Sequence, residues 1–361
     1  MSVTASFLPP MAAAAGHVRY GCARAKEAIH NLRLTNRDQS KAAAAIIDQA
    51  ATAGPIEYAG PTRFIPPSGT AGPRIDQVVA LRLGGHRHQL RVTRPLSSTD
   101  TSKEVYLAFP GITLDPSLSG TAGILHEKIA ESDPGATTAS INTNGVGAYE
   151  SSLSLWQILH LSFPSMAAQR LDIAQKLFHD KRIHAIGYSM GGAILGHTAF
   201  ANLEKPKADI VDLSFIKPVL VTPENAKRVL GFEFLPRSMR AQSQKLGGGL
   251  VALAKACVDE LAHLPAPCYG NALQLAHGIN QEQLITITGQ YPSGIQVGEH
   301  DPLNQRPLNR TLMECNPHLV QVREYAGRDH DITDHADEVV TDMRHFTRFG
   351  RFPVAYSLQA A

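Results

Sequence analysis

Three residues set far apart in the 361-residue chain have the types and spacing for nucleophilic acyl chemistry. Ser189 stands in Gly187-Tyr188-Ser189-Met190-Gly191, a G-x-S-x-G pattern between an apolar run ending at Ile186 and the helix-forming stretch Gly192–Leu203. Strand, sharp turn and helix are the context that exposes a serine hydroxyl at the tip of a strained turn. The first N–H groups of the following helix face the same point, which suits a developing negative charge. A serine hydroxyl is a poor nucleophile and needs a base, usually a histidine oriented by a carboxylate. In an open parallel sheet, reactive groups collect at the carboxyl ends of the strands. His330, in Gly327-Arg-Asp-His-Asp331, follows the last strand-like run, and Asp301, in Gly298-Glu-His-Asp-Pro302, precedes that run.

Each assignment has competitors. His335 lies one turn beyond His330, and Glu299, Asp329 and Asp331 compete with Asp301. A carboxylate adjacent to the histidine in sequence rarely reaches round to its Nδ1, which favours Asp301. The five-residue serine pattern is weak alone, because a glycine-rich strand–helix connection can simply turn. The cluster Asp329, His330, Asp331, Asp334 and His335 resembles a metal set, but Asp331 reads better as an N-cap for the closing helix. His86 and His88 beside a hairpin turn read as solvated, His300 as exposed, and His184 and His197 as structural. An oxyanion formed on attack needs two N–H donors. Met190 supplies one, and the loop after Val105–Phe109 the other, at Ile112.

The elements that must position these groups are legible as alternating periodicities. Gln77–Leu83 and His86–Thr93, joined by Gly84-Gly85, read as a β-hairpin. Glu104–Phe109, Thr138–Ile141 and the run before Ser189 read as strands. Helical patterns separate them, near Gly123–Glu131 and along Ala167, Leu171, Ala174 and Phe178. Strands alternating with helices at this interval predict a parallel sheet covered on both faces. Further strands are expected at Ile210–Val221, Gln283–Thr288 and His318–Tyr325. Helices are expected at Arg306–Asn316 and along Val339, Val340, Met343 and Phe346. Residues 224–280 break this rhythm and read as an inserted cap, whose Phe232, Phe234, Leu235 and Met239 suit an acyl or otherwise hydrophobic substrate. Residues 1–74 read as a helical extension and a linker rich in Gly and Pro.

Composition narrows the function classes. The net charge of +2, without a run of Lys or Arg, gives no signal for nucleic acid. No apolar stretch reaches the roughly 18 residues of a membrane span. The N-terminus has no basic region before its apolar run, and Pro9-Pro10 break that run, so a cytoplasmic location is expected. Cys22, Cys257, Cys268 and Cys315 form no C-x-x-C pair and read as reduced, mostly packed thiols.

The order Ser189, Asp301, His330 and the strand context resemble the α/β-hydrolase fold superfamily over roughly residues 75–222 and 281–350. Where that family usually reads His-Gly after its third strand, this chain has Pro110-Gly111. The turn after the fourth strand carries Asn142-Thr-Asn-Gly145-Val-Gly147-Ala-Tyr-Glu-Ser151, with Asn in place of the family's Asp and a spacer before the serine. Tyr188 stands where His or Tyr is common, and the HGGG signature of one lipase and esterase branch is absent. The resemblance implies an α/β fold. Its core, residues 75–222 and 281–361, is a mostly parallel, doubly wound sheet interrupted by a helical cap at 223–280. It also implies a serine hydrolase acting on ester or thioester bonds of a small acyl substrate, with no cofactor or metal. Acyl transfer by the same three residues, and a non-catalytic binding protein on the same fold, are the alternatives.

Overall fold

A computed structural model describes residues 56–67, 72–83, 86–96, 103–111, 120–142, 162–220 and 279–353. Residues 223–278 of the cap, the N-terminal 55 residues and Ile112 lie outside these ranges. Among the described residues, nine strands form one sheet: β1 (Ile56–Ile65), β2 (Arg74–Leu83), β3 (His86–Pro95), β4 (Glu104–Phe109), β5 (Thr137–Ile141), β6 (Arg182–Tyr188), β7 (Asp209–Ile216), β8 (Ser293–Gly298) and β9 (Val320–Tyr325). Their spatial order is β1-β2-β3-β5-β4-β6-β7-β8-β9. The first three pair antiparallel, β3 also runs antiparallel to β5, and every pairing from β5 to β9 is parallel.

Described helices are α1 (Thr121–Ser132), α2 (Phe163–Phe178), α3 (Met190–Glu204), α4 (Gln281–Thr288), α5 (Arg306–Cys315) and α6 (Ala336–Phe349). The period-2 alternation of the central strands sorts their side chains into two cores. Val105, Leu107 and Phe109 of β4, with Ile183 and Ala185 of β6, pack against apolar residues of α2, α3, α4 and α5. Tyr106 and Ala108 of β4, with Ile186 and Tyr188 of β6, face the opposite side, where α1 and α6 supply Leu125, Ile129, Val339, Val340 and Met343. Ala167, Leu171, Ala174 and Phe178 are all buried, as their spacing predicts.

Several sequence expectations are corrected. Gln283–Thr288 belongs to a helix, not a strand. Its β-branched residues cost a helix only a few tenths of a kcal/mol each. Asn280 caps it by accepting from Glu282 N–H at 2.7 Å, and Leu284, Ile287 and Thr288 are buried at helical spacing. The strand before Asp301 is instead Ser293–Gly298, whose glycines and polar residues hide it; Gly294 is there because a Cβ would lie 2.9 Å from the Phe346 ring. Residues 56–65, read as part of a linker, form β1 against β2. His88 is not solvated but 1% exposed. The closing helix is N-capped at His335, not Asp331, whose carboxylate accepts from Thr333 N–H and Oγ1–H within its own turn. Cys315 is exposed rather than packed, and the other three cysteines lie outside the described residues. No described helix is long and apolar enough to cross a membrane.

Candidate active site

The sheet brings three of the singled-out residues together at the carboxyl ends of β6, β8 and β9. β6 hands directly to α3 through Ser189, whose φ of 55° and ψ of −123° are a strained conformation for a residue with a side chain. Such a conformation costs about 1–3 kcal/mol and survives only where the surroundings enforce it. They do so here from both sides. Ser189 N–H donates to Ile216 O at 3.1 Å, and Val219 N–H donates to Ser189 O at 2.9 Å. Close packing completes the turn: a Cβ on Gly187 would lie 2.6 Å from Gly191 O, and one on Gly191 would lie 1.9 Å from Phe109 O. The start of α3 is thereby pressed against the turn that ends β4.

His330 leaves the loop after β9 with its Nε2 2.9 Å from Ser189 Oγ. Its Nδ1 is 2.8 Å from Asp301 Oδ2. The other oxygen of Asp301 accepts from Leu303 N–H at 2.8 Å, so both carboxylate oxygens have donors. The Asp301 side chain is 1% exposed and the imidazole 20%, an arrangement of a dry acid behind a base open toward solvent on one edge. With Asp301 ionised and accepting, Nδ1 carries the proton and Nε2 is left to accept from the serine hydroxyl.

The loops bearing acid and base are built on each other. His300 N–H donates to Arg328 O at 2.8 Å and Glu299 N–H to Tyr325 O at 3.0 Å. Gly298 permits this contact, since a Cβ there would lie 2.5 Å from both Arg328 O and Asp329 O. The competing carboxylates are engaged elsewhere. Glu299 accepts from Gly327 N–H, Asp329 from Asp331 N–H and Asp331 from Thr333. His335 turns its Nδ1 to Asp334 at 2.6 Å, and His300 is exposed.

Met190 is the first residue of α3. A first-turn N–H has no acceptor within its own helix. Ile112, Phe232, Phe234 and Met239 fall outside the described residues.

Two neighbours of His330 were not foreseen. The Tyr188 ring stacks on the imidazole, with centroids 5.9 Å apart and an interplanar angle of 22°, and its hydroxyl lies 3.4 Å from His330 O. Burial, then the charges of Asp331, Asp301 and Asp329, raise the Tyr188 pKa, so the phenol stays protonated. Lys217, directly after β7, is fully buried with φ of 43° and donates to the carbonyls on both sides of His330. A lysine directly after Phe215-Ile216, at the end of a strand-like run, was the available signal. Among the described residues, no group of three or more His, Cys, Asp or Glu side chains is arranged to hold a metal ion.

No family model and no curated protein matches the chain. Solved structures do. A putative lipase from Acinetobacter baumannii superposes with a TM-score of 0.54 at 15% identity, covering 76% of this chain and 92% of its own. Est1E from Butyrivibrio proteoclasticus gives 0.52 at 16%, covering 76% and 98%. A proline iminopeptidase from Mycobacterium smegmatis gives 0.53 at 16%, again covering 76% and 98%. This likeness, with the strand order above, places the chain among proteins of the α/β-hydrolase fold.

Proposed function

We propose that this α/β-hydrolase-fold chain is a serine hydrolase that cleaves carboxylic esters, thioesters included, through an acyl-serine intermediate. The observation that carries this reading is the unbroken relay Ser189 Oγ, His330 and Asp301 at 2.9 and 2.8 Å. Ser189 Oγ attacks the carbonyl carbon while its proton passes to His330 Nε2. The imidazolium so formed is held by the ionised Asp301, itself fixed by Leu303 N–H. The carbonyl oxygen becomes an oxyanion beside Met190 N–H, with the second donor assigned to the loop after β4, at Ile112. Each such donor contributes about 3 kcal/mol to the transition state. Collapse of the tetrahedral adduct breaks the bond to the alkoxide or thiolate, which leaves with the proton from His330 Nε2. Water then repeats the sequence on the acyl-serine, its proton going to the same nitrogen, and regenerates the serine.

His330 can act this way because one ring edge is open and its carboxylate partner Asp301 is on the other nitrogen. The site needs no cofactor for these steps. Phe232, Phe234 and Met239 of the cap segment are proposed to receive the acyl chain, an assignment that rests on their composition.

Labelling with a fluorophosphonate tests the reading. The wild-type chain should be labelled once, Ser189→Ala not at all, and His330→Ala at a rate lower by about 10³-fold or more. Undiminished labelling of Ser189→Ala would refute it. A panel of p-nitrophenyl esters of rising chain length, a thioester and a prolyl anilide then sorts ester from amide cleavage. Added alcohol or thiol acceptors separate hydrolysis from acyl transfer.

A further inference from the structure

Lys217 does what surface lysines do not. It is fully buried, and its hydrogen bonds run to main-chain carbonyls rather than to a carboxylate: Asp329 O at 2.5 Å and Asp331 O at 2.6 Å. Those two carbonyls belong to the residues immediately before and after His330. Fixing both limits how the backbone at His330 can rotate, and with it the direction of the imidazole. The main chain around Lys217 is tied just as closely to the nucleophile. Ile216 O accepts from Ser189 N–H at 3.1 Å, Val219 N–H donates to Ser189 O at 2.9 Å, and Lys217 N–H donates to Gln296 O at 2.6 Å on β8. One short segment therefore touches the turn of the nucleophile, the strand leading to the acid, and the loop of the base.

We propose that Lys217 is a positioning residue, which sets the distance between His330 and Ser189 by clamping the base loop to the segment that holds the nucleophile turn. The inference rests on the serine-hydrolase reading above. Its geometry is unusual enough to exclude simple space filling: an apolar side chain would fill the same volume without burying a charge. The left-handed φ of 43° is a further local cost, accepted where the side chain must aim under the loop.

The clamp is also sensitive to pH. Burial pushes the Lys217 ammonium down to about 8, against the opposing charges of Asp301 on the acid turn and Asp329, Asp331 and Asp334 on the base loop. Of these, Asp334 is paired with Arg328, and Asp301 faces His330. As pH rises through about 8, the ammonium loses its proton and its bonds to the two carbonyls lose their charge assistance.

The test uses Lys217→Met in the full chain, which keeps the reach of the stem and removes the donors. Fluorophosphonate labelling of Ser189 should slow by about 10- to 100-fold, the scale expected for a base displaced by a fraction of an ångström to one ångström. For an ester substrate the loss should fall on kcat, with KM within about twofold. Wild-type labelling should show an alkaline decline centred near pH 8, which the variant lacks. Labelling of Lys217→Met at the wild-type rate overturns the proposal, as does a loss confined to KM. Should the variant not fold, the wild-type profile decides: no decline between about pH 7 and 10 overturns it. If Ser189→Ala still labels, the hydrolase reading itself fails; labelling that needs Ser189 but ignores Lys217 removes only the clamp.

Discussion

Asp301→Asn is the substitution whose outcome the geometry constrains most tightly. Asp301 Oδ1 accepts from Leu303 N–H at 2.8 Å and Oδ2 from His330 Nδ1 at 2.8 Å. An asparagine has only one acceptor for these two donors. If its oxygen keeps the Leu303 bond, its amide N–H₂ faces Nδ1, and His330 must move its proton to Nε2. That tautomer donates to Ser189 Oγ and cannot take its proton. The flipped amide restores the working tautomer but sets N–H₂ against Leu303 N–H in a site where the side chain is 1% exposed. An unsatisfied buried donor pair costs about 2–3 kcal/mol, and a neutral amide supports the imidazolium less than a carboxylate by about 1–2 kcal/mol. Together these give about 3–5 kcal/mol, a loss of roughly 10²- to 10⁴-fold in rate. The assay is the second-order rate of fluorophosphonate labelling at pH 7.5, with Asp301→Ala alongside. Alanine leaves the imidazole free to choose its tautomer, so Asp301→Ala should be at least as fast as Asp301→Asn. An asparagine variant within tenfold of wild type, or faster than the alanine variant by tenfold, would refute the reasoning.

Other consequences follow from close packing and burial. Gly298→Ala places a Cβ 2.5 Å from the carbonyl oxygens of Arg328 and Asp329, so the base loop must lift. Labelling of Ser189 should fall by about 10²-fold, and a variant matching wild type in both labelling rate and denaturation midpoint would count against that packing. His88, on β3, is buried with neither ring nitrogen hydrogen-bonded, and burial, then the nearby charges of Arg170 and His86, pushes its pKa from 6.5 down to about 3. The unfolded chain therefore takes up this proton first. The stability that neutral His88 contributes is complete above pH 6.5 and is lost as pH falls toward 3, at up to about 1.4 kcal/mol per pH unit. Urea titrations at pH 7 and pH 5 should show His88→Leu losing about 1–2 kcal/mol less than wild type between the two; equal losses would refute it.

The parts of this fold that were legible are those where a local rule and the tertiary outcome agree. Gly187–Gly191 announced a strand–turn–helix, and the carboxyl-end rule led to Asp301 and His330, which lie in hydrogen-bonding sequence with Ser189. What escaped are features set by partners distant in sequence. β8 reads as a polar, glycine-containing stretch because its neighbours are Phe346 on α6 and the backbones of β7 and β9. Gln283–Thr288 reads as a strand by composition, yet Asn280 and a buried face of Leu284, Ile287 and Thr288 make it part of a helix. Lys217 could be noticed in sequence only as a lysine after an apolar run, because its carbonyl partners lie 112 and 114 residues away.

An aspartate beside a histidine is not by itself diagnostic in this molecule, because the described residues hold other such pairs. In the amino-terminal half of the parallel strands, His184 of β6 has its Nδ1 2.6 Å from Asp212 and its Nε2 2.8 Å from Glu104. When both carboxylates are ionised they only accept, so both ring nitrogens donate and the imidazolium is favoured. Burial opposes this, but the bonds and charges of Asp212 and Glu104 outweigh it and raise the His184 pKa. A histidine so bracketed has no lone pair to offer and cannot serve as a base. His330 differs in one partner: its second nitrogen meets a hydroxyl, not a carboxylate. That exchange of Glu for Ser separates an imidazole that only stores charge from one that can take up a proton and release it. On the proposed reading the working end of the sheet is the carboxyl end, where the strands meet the strained turn at Ser189 and the first turn of α3.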